Sequence, residues 1–406
     1  MNIIIVNDYA YVNGGAGQVA INTAKLLTMH GDNVVLFSAV GPIEDELKHI
    51  DNLNVICLKQ HDILNDPSRI RAIVQGIWNF RAKNEFENLL KKFDPKNTVI
   101  HIHTLSKAIS SSILPTAKSM GFKTLYHLHD YGIACPNLGF YDFQENCICH
   151  RSALSLRCLA KHCDSRSYLH KCWRVIRQFV QEYIGGLPSN IDCLIYISKF
   201  SLNVLRPYLR DYQCLEFLPN YVGVSHQPRI QAENNKTIIY VGRLSPEKNP
   251  HILAKATKEL GITVMFIGSG VCEKEVIELN LTAIMTGWVS PQEMERLVQS
   301  ARLLVFPSKW YETQGLSVIE AIARGIPVIV ADECAARDEI DDGKNGVLFK
   351  NDDIVDLKSK INMFDDQLVK EMSEYGYNTY WNRHTSDVEY MGRLKEIYQK
   401  LLLKVR

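Results

Sequence analysis

The sequence LLVFPSKWYETQGLSVIEAIARGIPVIV, residues 303–330, decides the fold. Its first apolar run, 303–306, predicts a strand, and a polar loop follows. A helix is expected to begin near Gly315 and to end at Gly325, because glycine often terminates helices and a proline stands two residues further on. The second apolar run, 328–330, predicts another strand. Strand, loop, helix and strand in this order are typical of a parallel sheet whose connections are helices.

The same alternation runs through the rest of the chain. Apolar runs predict strands at 3–6, 34–38, 55–58, 98–102, 124–128 and 194–197, and again at 238–241, 263–267, 283–286, 303–306 and 328–330. Segments with helical spacing lie between them, among them 17–30, 67–93 and 105–120. Strands that are apolar throughout are buried on both faces, as in a parallel sheet covered by helices. We therefore predict an α/β fold of two tandem, doubly wound Rossmann-like domains.

The length of the chain agrees with two domains. A single core rarely grows past about 250–300 residues, and the chain has 406. We expect a first domain at 1–222, a second domain at 223–383, and a C-terminal helix within 384–406 that packs back on the first domain. The joint is expected near 219–228, where Pro and Gly occur without a long apolar run, and 229–236 is expected to be a surface loop.

Composition and charge exclude several classes of protein. The hydrophobic fraction of 46% and the charged fraction of 22% are those of a folded globular chain. With 46 Lys and Arg against 45 Asp and Glu, the chain lacks the bulk positive field of a nucleic-acid-binding protein, so we expect no nucleic-acid partner. No uncharged apolar run reaches the roughly 18 residues of a membrane-spanning helix, and the short apolar start does not resemble a signal peptide. We expect a cytoplasmic protein.

Two basic residues follow the first strand of the second half. Arg243 and Lys248 lie in a turn after the strand at 238–241. Ligands of doubly wound sheets bind at the carboxyl ends of the strands, so two cations at this place suit a diphosphate. The alternative is a solvated turn with two surface charges.

The loop and helix within 303–330 offer further binding groups. The first turn of the predicted helix, 315–317, has amides without intrahelical partners, which form a site for an anion or a hydroxyl group. Glu312 precedes this helix and Glu320 lies on it. Eight helical residues span about 12 Å, more than the carboxylate separations of about 5–9.5 Å in glycoside hydrolases. Two carboxylates that contact two ends of one hydroxyl-rich ligand fit this spacing better. The alternative is a loop Glu and an exposed helix Glu without a ligand.

Together these motifs resemble the large retaining glycosyltransferase family 4, whose two Rossmann-like domains face each other across a cleft in the GT-B arrangement. The resemblance rests on VGRL at 241–244 with Lys248, FIGSG at 266–270, TGWV at 286–289, and Glu312 and Glu320 with GL at 315–316. It covers essentially the whole second half, in family order and spacing. In the first half, the glycine-rich turn at 13–17 and the pair His129-Asp130 agree with it, although the turn alone is a weak signal. We expect His101 and His103, on the preceding strand, to be structural.

The resemblance implies a role for each matching residue. Arg243 and Lys248 would hold the nucleotide diphosphate. Glu312 and the amides after it would hold the donor sugar, and Glu320 would contact the ribose. His129 would lie near the sugar, and with Glu312, Arg243 and Lys248 it forms the expected catalytic set. The residues expected around the donor are Gly14, Gly15, Gly242, Arg243, Lys248, Gly268, Gly270, Val289, Gly315, Leu316, Ser317 and Glu320.

The resemblance also implies the reaction. A hexose-type sugar would move from a nucleotide diphosphate sugar with retention at the anomeric carbon, and catalysis would require no metal or other cofactor. The departing phosphate would accept the proton of the acceptor. The chain has Thr313 and Gln314 where many relatives have Pro-Phe, so the identity of the donor is not transferred. Rival interpretations are a sugar-nucleotide epimerase, a phosphorylase and a non-catalytic sugar-nucleotide-binding protein.

An insertion at 131–182 follows the His-Asp pair and contains six of the 11 cysteines. A subset of the family from surface-polysaccharide pathways is similar here. The six are Cys135, Cys147, Cys149, Cys158, Cys163 and Cys172. Their irregular spacing leaves a structural zinc site, free thiols and disulfides open.

The segment 151–182 is also basic, with aromatic and aliphatic residues between the charges. Such a pattern is typical of a helix that contacts a membrane surface, and the alternative is a solvated helix face. We expect a glycan or polyprenyl-diphosphate-linked acceptor, as in lipopolysaccharide or O-antigen synthesis. A peripheral location on the inner face of the plasma membrane would suit such an acceptor.

Overall fold

A computed structural model describes residues 1–209, 214–383 and 386–403. In the first half, seven parallel strands form one sheet in the order β3-β2-β1-β4-β5-β8-β9, and β6 and β7 form a small hairpin. The elements are β1 (Asn2–Val6), α1 (Gly15–Met29), β2 (Asn33–Val40), β3 (Leu53–Gln60), α2 (Arg69–Ile77), α3 (Phe80–Leu90), β4 (Thr98–Ile102), α4 (Ile113–Ser119), β5 (Lys123–His127), β6 (Tyr141–Asp142), β7 (Cys147–Ile148), α5 (Leu156–Ala160), α6 (Tyr168–Phe179), β8 (Cys193–Tyr196), α7 (Lys199–Leu205) and β9 (Cys214–Phe217).

In the second half, six parallel strands form a sheet in the order β12-β11-β10-β13-β14-β15. The elements are β10 (Thr237–Val241), α8 (Pro250–Leu260), β11 (Val264–Ile267), α9 (Glu273–Leu279), β12 (Ile284–Gly287), α10 (Pro291–Val298), β13 (Ala301–Phe306), α11 (Leu316–Ala323), β14 (Val328–Ala331), β15 (Gly346–Phe349), α12 (Ile354–Asn362), α13 (Asp366–Arg383) and α14 (Asp387–Leu403).

Both sheets are buried on their two faces, as the continuous apolar strands predict. On β1, Ile4 and Val6 belong to the core on one face, while Ile3 and Ile5 belong to the core on the other. Successive side chains of a strand point to opposite faces, so a strand covered on both sides must be apolar throughout. The predicted fold class, two doubly wound α/β domains, is confirmed.

The last helix, α14, packs on the first sheet rather than on the second. Tyr390, Leu394 and Tyr398 lie in the core that contains Ile3 and Ile5. The preceding helix, α13, stays with the second domain, where Ser373 bonds the carbonyl of Gly325. The chain therefore crosses between domains near 383–387. The predicted boundary at 384 falls on residues outside the described part, as do 210–213 and 404–406.

Three local expectations differ from the structure. The segment predicted as one helix at 67–93 is two helices, because Asn79 has an extended backbone and caps α3 through the amide of Ala82. In 105–120 only α4 is an α-helix, since the carboxylate of Asp8 accepts the amides at 107–109 and holds that stretch as a loop. Within 229–236, Ile230 and Ala232 are buried, so this linker is not simply a surface loop.

Candidate active site

The candidate site lies where the carboxyl ends of the two sheets meet, which is the usual ligand position in doubly wound folds. The turns after β1 and β5 approach from the first domain, and those after β10 and β13 approach from the second. Two direct contacts join the domains here. Tyr131 donates a hydrogen bond to the carbonyl oxygen of Glu312, and Thr313 Oγ1 donates to the carbonyl oxygen of His129 at 2.9 Å.

An ion pair between Lys248 and Glu312 forms the centre of the site. Lys248 Nζ bonds Glu312 Oε1, and the hydroxyl of Ser308 donates to the same oxygen. The ammonium group also lies 5.6 Å from the ring centroid of Phe306 and 5.5 Å from that of Trp310. β10 and β13 are neighbours in the sheet, so residues 64 positions apart come together. The structure thus joins two members of the predicted catalytic set.

Glu312 has a backbone conformation that favours glycine. Its φ angle is +47°, which costs a non-glycine residue about 1–3 kcal/mol and persists only where the surroundings impose it. The bonds of its carboxylate to Lys248 and of its carbonyl to Tyr131 supply that constraint. The side chain is therefore held in one direction before any ligand arrives.

Arg243 lies beside this pair but is turned toward solvent. Its guanidinium is 63% exposed and bonds Glu247 Oε1 at 3.0 Å. Ser245 donates to the same oxygen at 2.8 Å. Glu247 itself is buried, so it fixes the turn that carries Arg243. Sequence reasoning missed this role of Glu247, although it lies between the two predicted cations.

The first turns of α1 and α11 face each other across the cleft. Gly14 directly precedes α1, and its φ angle is +86°. Glycine adopts positive φ angles without the steric cost that other residues incur. A Cβ at Gly15 would lie 3.4 Å from Leu316 Cδ1 of the other domain, and one at Gly315 would lie 2.5 Å from the Cβ of Ala336. The start of α11 therefore requires the absence of a side chain at Gly315, whereas a Cβ at Gly15 would make an ordinary van der Waals contact. The first amides of a helix have no intrahelical partner and can bind an anion or a hydroxyl group.

Glu320 lies on α11, one turn after its first residue, Leu316, and is separate from the Lys248–Glu312 pair. With Ser317 and Val241 it lines a narrow groove. Burial raises the pKa of its carboxyl above the usual range, and Arg324 opposes this shift. Arg324 directs its guanidinium to Glu295 and to the backbone carbonyl of Glu320. The Glu320 carboxylate thus remains available to a hydroxyl group.

Two predicted nucleotide-site glycines have a packing role in this structure. A Cβ at Gly268 would lie 2.0 Å from the carbonyl oxygen of Gly242, and one at Gly270 would lie 2.2 Å from that of Leu244. The turns after β10 and β11 therefore touch backbone to backbone. Val289, also predicted here, is half-buried in the loop after β12.

His129 reaches the site from the end of β5. Its Nε2 lies 2.9 Å from Nδ1 of His103, a residue we expected to be structural from the sequence. Burial lowers the pKa of His129 to about 3, so the imidazole is neutral at physiological pH. The neighbouring Asp130 accepts the amide of Gly132 at 2.7 Å and caps a turn.

The residues that join the domains were hard to identify from the sequence. Tyr131 directly follows the His-Asp pair, which is the one signal that could have identified it. Asn220 lies in the predicted joint, and its side-chain amide donates to Gln314 Oε1 at 2.6 Å. Gln314 and Thr313 are the positions at which the chain departs from many relatives, and both contact the first domain or its linker.

Residues 225–379 match the family "Glycosyl transferases group 1".

Curated relatives agree with this match. An uncharacterized 42.6 kDa protein in cps region of Klebsiella pneumoniae is 25% identical over 353 residues, 81% of this chain and 84% of that protein. A GDP-mannose-dependent alpha-mannosyltransferase of Corynebacterium glutamicum is 32% identical over 189 residues. The latter alignment covers 46% of this chain and only 44% of the relative.

Solved structures share the whole fold. The sucrose-phosphate synthase of Thermosynechococcus elongatus has a TM-score of 0.71 at 16% identity, with 98% of each chain covered. Anabaena HepE in complex with UDP-glucose has a TM-score of 0.66 at 17% identity, with 98% of this chain and 100% of HepE covered. The family match and this fold together support a GT-B glycosyltransferase.

The cysteine-bearing insertion packs beside the candidate site, where Tyr311 contacts His150. The six cysteines of the insertion are thiols in the structure. Cys135, Cys158 and Cys163 are buried, and the buried amine of Lys171 lies 3.6 Å from Cys158 Sγ. Within the described residues, the insertion cysteines form no group of three whose sulfur atoms lie within 4.8 Å of one another. The zinc interpretation of these cysteines stays a prediction.

The basic residues of the insertion are divided between the interior and the surface. Lys171 and Arg177 are buried, and Arg174 pairs with Asp164 at 2.6 Å. Arg157 and Arg166 are exposed. The outer surface of this segment is therefore more apolar and less basic than its sequence suggests. No helix within the described residues is long and apolar enough to cross a bilayer.

Proposed function

We propose that the protein is a retaining glycosyltransferase. It moves a hexose-type sugar from a nucleoside diphosphate sugar to a glycan or a lipid-linked glycan, in polysaccharide synthesis. The Lys248–Glu312 pair, held beside the first turn of α11 in the cleft between the domains, carries this proposal. It places a cation, a carboxylate and helix amides within reach of one ligand.

Positive charge for the leaving diphosphate comes from the second domain. Lys248 is partly desolvated, so its field is strong, and Arg243 is free to turn from solvent toward a phosphate. The amides at the start of α11 add dipoles that need no rearrangement as charge develops. Lys248, Arg243 and these amides together stabilise the negative charge of the leaving diphosphate, a role that a metal ion has in other active sites. We propose that transfer is independent of metal.

The carboxylate of Glu312 then serves the sugar rather than the phosphate. When a diphosphate attracts Lys248, Glu312 keeps its bond from Ser308 and gains capacity to accept sugar hydroxyl groups. Glu320, with its separate groove on α11, suits the ribose hydroxyl groups. These are the roles expected from the family resemblance.

His129 positions the sugar in this proposal and does not act as a base. Its pKa of about 3 makes it a poor proton acceptor near neutrality. Its Nε2 is committed to His103, which fixes the ring orientation. The bond from the anomeric carbon to the phosphate oxygen breaks, and the acceptor oxygen bonds to that carbon on the same face, which produces retention. The proton of the acceptor goes to the departing phosphate oxygen.

The relatives support a nucleotide-sugar donor but differ in the base. HepE is solved with UDP-glucose, and the Corynebacterium protein is GDP-mannose-dependent. A thermal-shift screen of nucleoside diphosphates and their sugars tests the donor, because a bound ligand stabilises the folded state by mass action. Turnover is then measured with the best donor, and the anomeric configuration of the product by NMR. An inverted anomer would contradict retention.

Matched variants test the site. Glu312→Gln and Lys248→Met should each lower turnover by about 10²–10³-fold. Lys274→Met removes a lysine that is 89% exposed, on α9, and should leave turnover unchanged. Wild-type turnover in the first two variants would refute the proposed site. Release of an epimerised donor sugar without an acceptor would instead indicate an epimerase.

The membrane contact has a structural candidate on α2 and α6. The two helices pack closely because Gly76 leaves room for Trp173. Their outer faces and the adjoining turns carry a group of exposed apolar side chains, namely Ile70, Ile73, Val74, Phe80, Leu169, Ile176, Phe179, Tyr183 and Ile184. Apolar side chains on an amphipathic surface insert at the boundary of headgroups and acyl chains. We propose peripheral binding of this surface to an anionic bilayer, where a lipid-linked acceptor would be presented.

Co-sedimentation with vesicles of anionic phospholipid tests this contact. The protein should sediment with the vesicles and less so as their anionic fraction falls. No sedimentation at low salt would remove the membrane part of the proposal and leave the donor site untouched.

A further inference from the structure

Four histidines stand in a column at the carboxyl ends of β4 and β5. His101 and His103 alternate along the first strand, and His127 and His129 along the second, so all four rings face the same side of the sheet. The ring centroids of His101 and His103 are 4.2 Å apart, as are those of His127 and His129. The centroids of His103 and His127 are 5.1 Å apart.

Three of these rings are buried and carry polar atoms without hydrogen bonds. His101, His103 and His127 are at most 1% exposed. Nε2 of His101, Nε2 of His103 and both ring nitrogens of His127 lack a hydrogen bond of good geometry, and the side chain of Asn220 approaches His127 as a weaker partner. Buried polar atoms are nearly always satisfied, so such a group calls for an explanation. Burial also lowers the pKa of each ring, so all three are neutral.

The other nitrogen of two rings is already fixed. Nδ1 of His101 lies 2.7 Å from the hydroxyl of Tyr398 on α14, and Nδ1 of His103 lies 2.9 Å from Nε2 of His129. When Nδ1–H donates to such an acceptor, Nε2 presents its lone pair. This is the arrangement in which metal-binding histidines are held, with one nitrogen oriented by a neighbour and the other directed at the ion.

The three rings bring nitrogen atoms close together. One ring nitrogen from each of His101, His103 and His127 lies within 4.8 Å of the other two. Bonds of about 2.0–2.1 Å to a tetrahedral ion require these nitrogens to move closer to one another by rotation of the rings. Neutral imidazoles without carboxylates favour zinc over magnesium or calcium.

We propose that His101, His103 and His127 bind one zinc ion beneath the active-site cleft. The ion would satisfy the three inward nitrogens, and a water from the direction of His129 would complete the tetrahedron. It would fix the hydrogen bond that orients His129 and tie α14 to the first sheet through Tyr398. The role is structural and does not depend on the proposed reaction.

A second group of three possible metal ligands, namely His251, Cys272 and Glu275, serves as a control and is not proposed as a metal site. Its carboxylate is exposed, and His251 already bonds Glu275 at 2.7 Å. The contact is complete without an ion. His251→Gln disrupts this group and leaves the histidine column intact.

The test uses the full chain, stripped of metal by a chelator and dialysed against Zn²⁺. Elemental analysis should find about one zinc per chain in wild type and in His251→Gln, and a loss of at least tenfold in His127→Gln and His101→Asn. Zinc should raise the melting temperature of the first two proteins only. Equal zinc content in all four would overturn the proposal.

Substitution by Co²⁺ keeps the test decisive even if the histidine variants fail to fold. Wild type should show the visible bands of four-coordinate cobalt without the near-ultraviolet band of a thiolate ligand. A strong thiolate band would move the metal to a site that contains cysteine, either Cys272 or the insertion cysteines. The absence of any cobalt bands would show that the column holds no ion. Either result refutes the assignment.

Discussion

Replacing Lys248 by methionine should reveal how strongly the charges in the site are coupled. Methionine keeps an apolar stem beside Phe306 and Trp310 but removes the ammonium group from Glu312. The two side chains of the pair are 20% and 8% exposed. Loss of one partner from a buried pair costs about 3–5 kcal/mol. Because water reaches Lys248, we expect the lower end, about 3 kcal/mol.

The double variant Lys248→Met/Glu312→Gln separates this charge effect from lost packing. Replacement of both ions by neutral groups is often close to neutral for stability, so the double variant should lie within about 1 kcal/mol of wild type. The coupling free energy from the four proteins is then about 2 kcal/mol or more. In a domain of this size, Lys248→Met alone should lower the melting temperature by about 6–12 °C.

Urea unfolding followed by circular dichroism measures these differences, and equal m-values confirm that all four proteins unfold in the same way. Lys248→Met and the double variant should also lose the stabilisation by nucleoside diphosphate, since both remove the cation proposed to bind the diphosphate. A double variant as unstable as the sum of the two single variants would refute the reasoning. The Lys248–Glu312 contact would then contribute no coupling to the folded state.

Three further predictions concern packing, pH and the membrane. Gly268→Ala places a Cβ 2.0 Å from a facing carbonyl oxygen and should lower the free energy of unfolding by about 2–3 kcal/mol. Gly392→Ala places its Cβ in open space on α14 and should raise the free energy of unfolding by up to about 1 kcal/mol. Urea unfolding measures both changes. Burial raises the pKa of Glu339 from 4.5 to about 7. The folded state therefore holds its proton longer, and the free energy of unfolding should fall as pH rises through this window, by at most about 1.4 kcal/mol per unit. Glu339→Gln should remove this fall between pH 5 and pH 7.5, and an unchanged slope would contradict the shift. Leu169→Ser should weaken vesicle binding about 10–100-fold, because burial of one leucine side chain contributes about 1.5–3 kcal/mol. Leu281→Ser changes an equally exposed residue of the second domain and should leave vesicle binding unchanged.

Much of the fold could be predicted because buried parallel strands leave a strong pattern. The apolar run at 98–102 coincides with β4, and the helix expected to begin near Gly315 begins at Leu316. The interrupted helix at 67–93 could not be predicted in the same way. Helical spacing continues through Trp78 and Asn79, and the break depends on Ser110, which bonds the amide of Asn79 from another part of the chain.

Part of the candidate site was also predictable, because the strong pattern of buried parallel strands locates the strand ends. The rule that ligands bind at the carboxyl ends of parallel strands places Arg243, Lys248 and Glu312 near one another once β10 and β13 are neighbours. The sequence does not reveal that Lys171 is buried among thiols, since a lysine in a basic helix is expected to face solvent. Spacing alone also left His101 and His103 as ordinary core residues.

The contacts across the cleft explain why the second-domain motif is insufficient to define the donor. The backbone of Glu312 receives its hydrogen bond from Tyr131, and Thr313 donates its own to the backbone of His129. Each sugar-facing loop is thus oriented by a side chain of the opposite domain. A change in the first domain can therefore turn Glu312 without altering any residue of the matched family region, 225–379. We therefore expect that relatives sharing this region can differ in their donor sugar through first-domain residues such as Tyr131, which contacts the backbone of Glu312 rather than its charge.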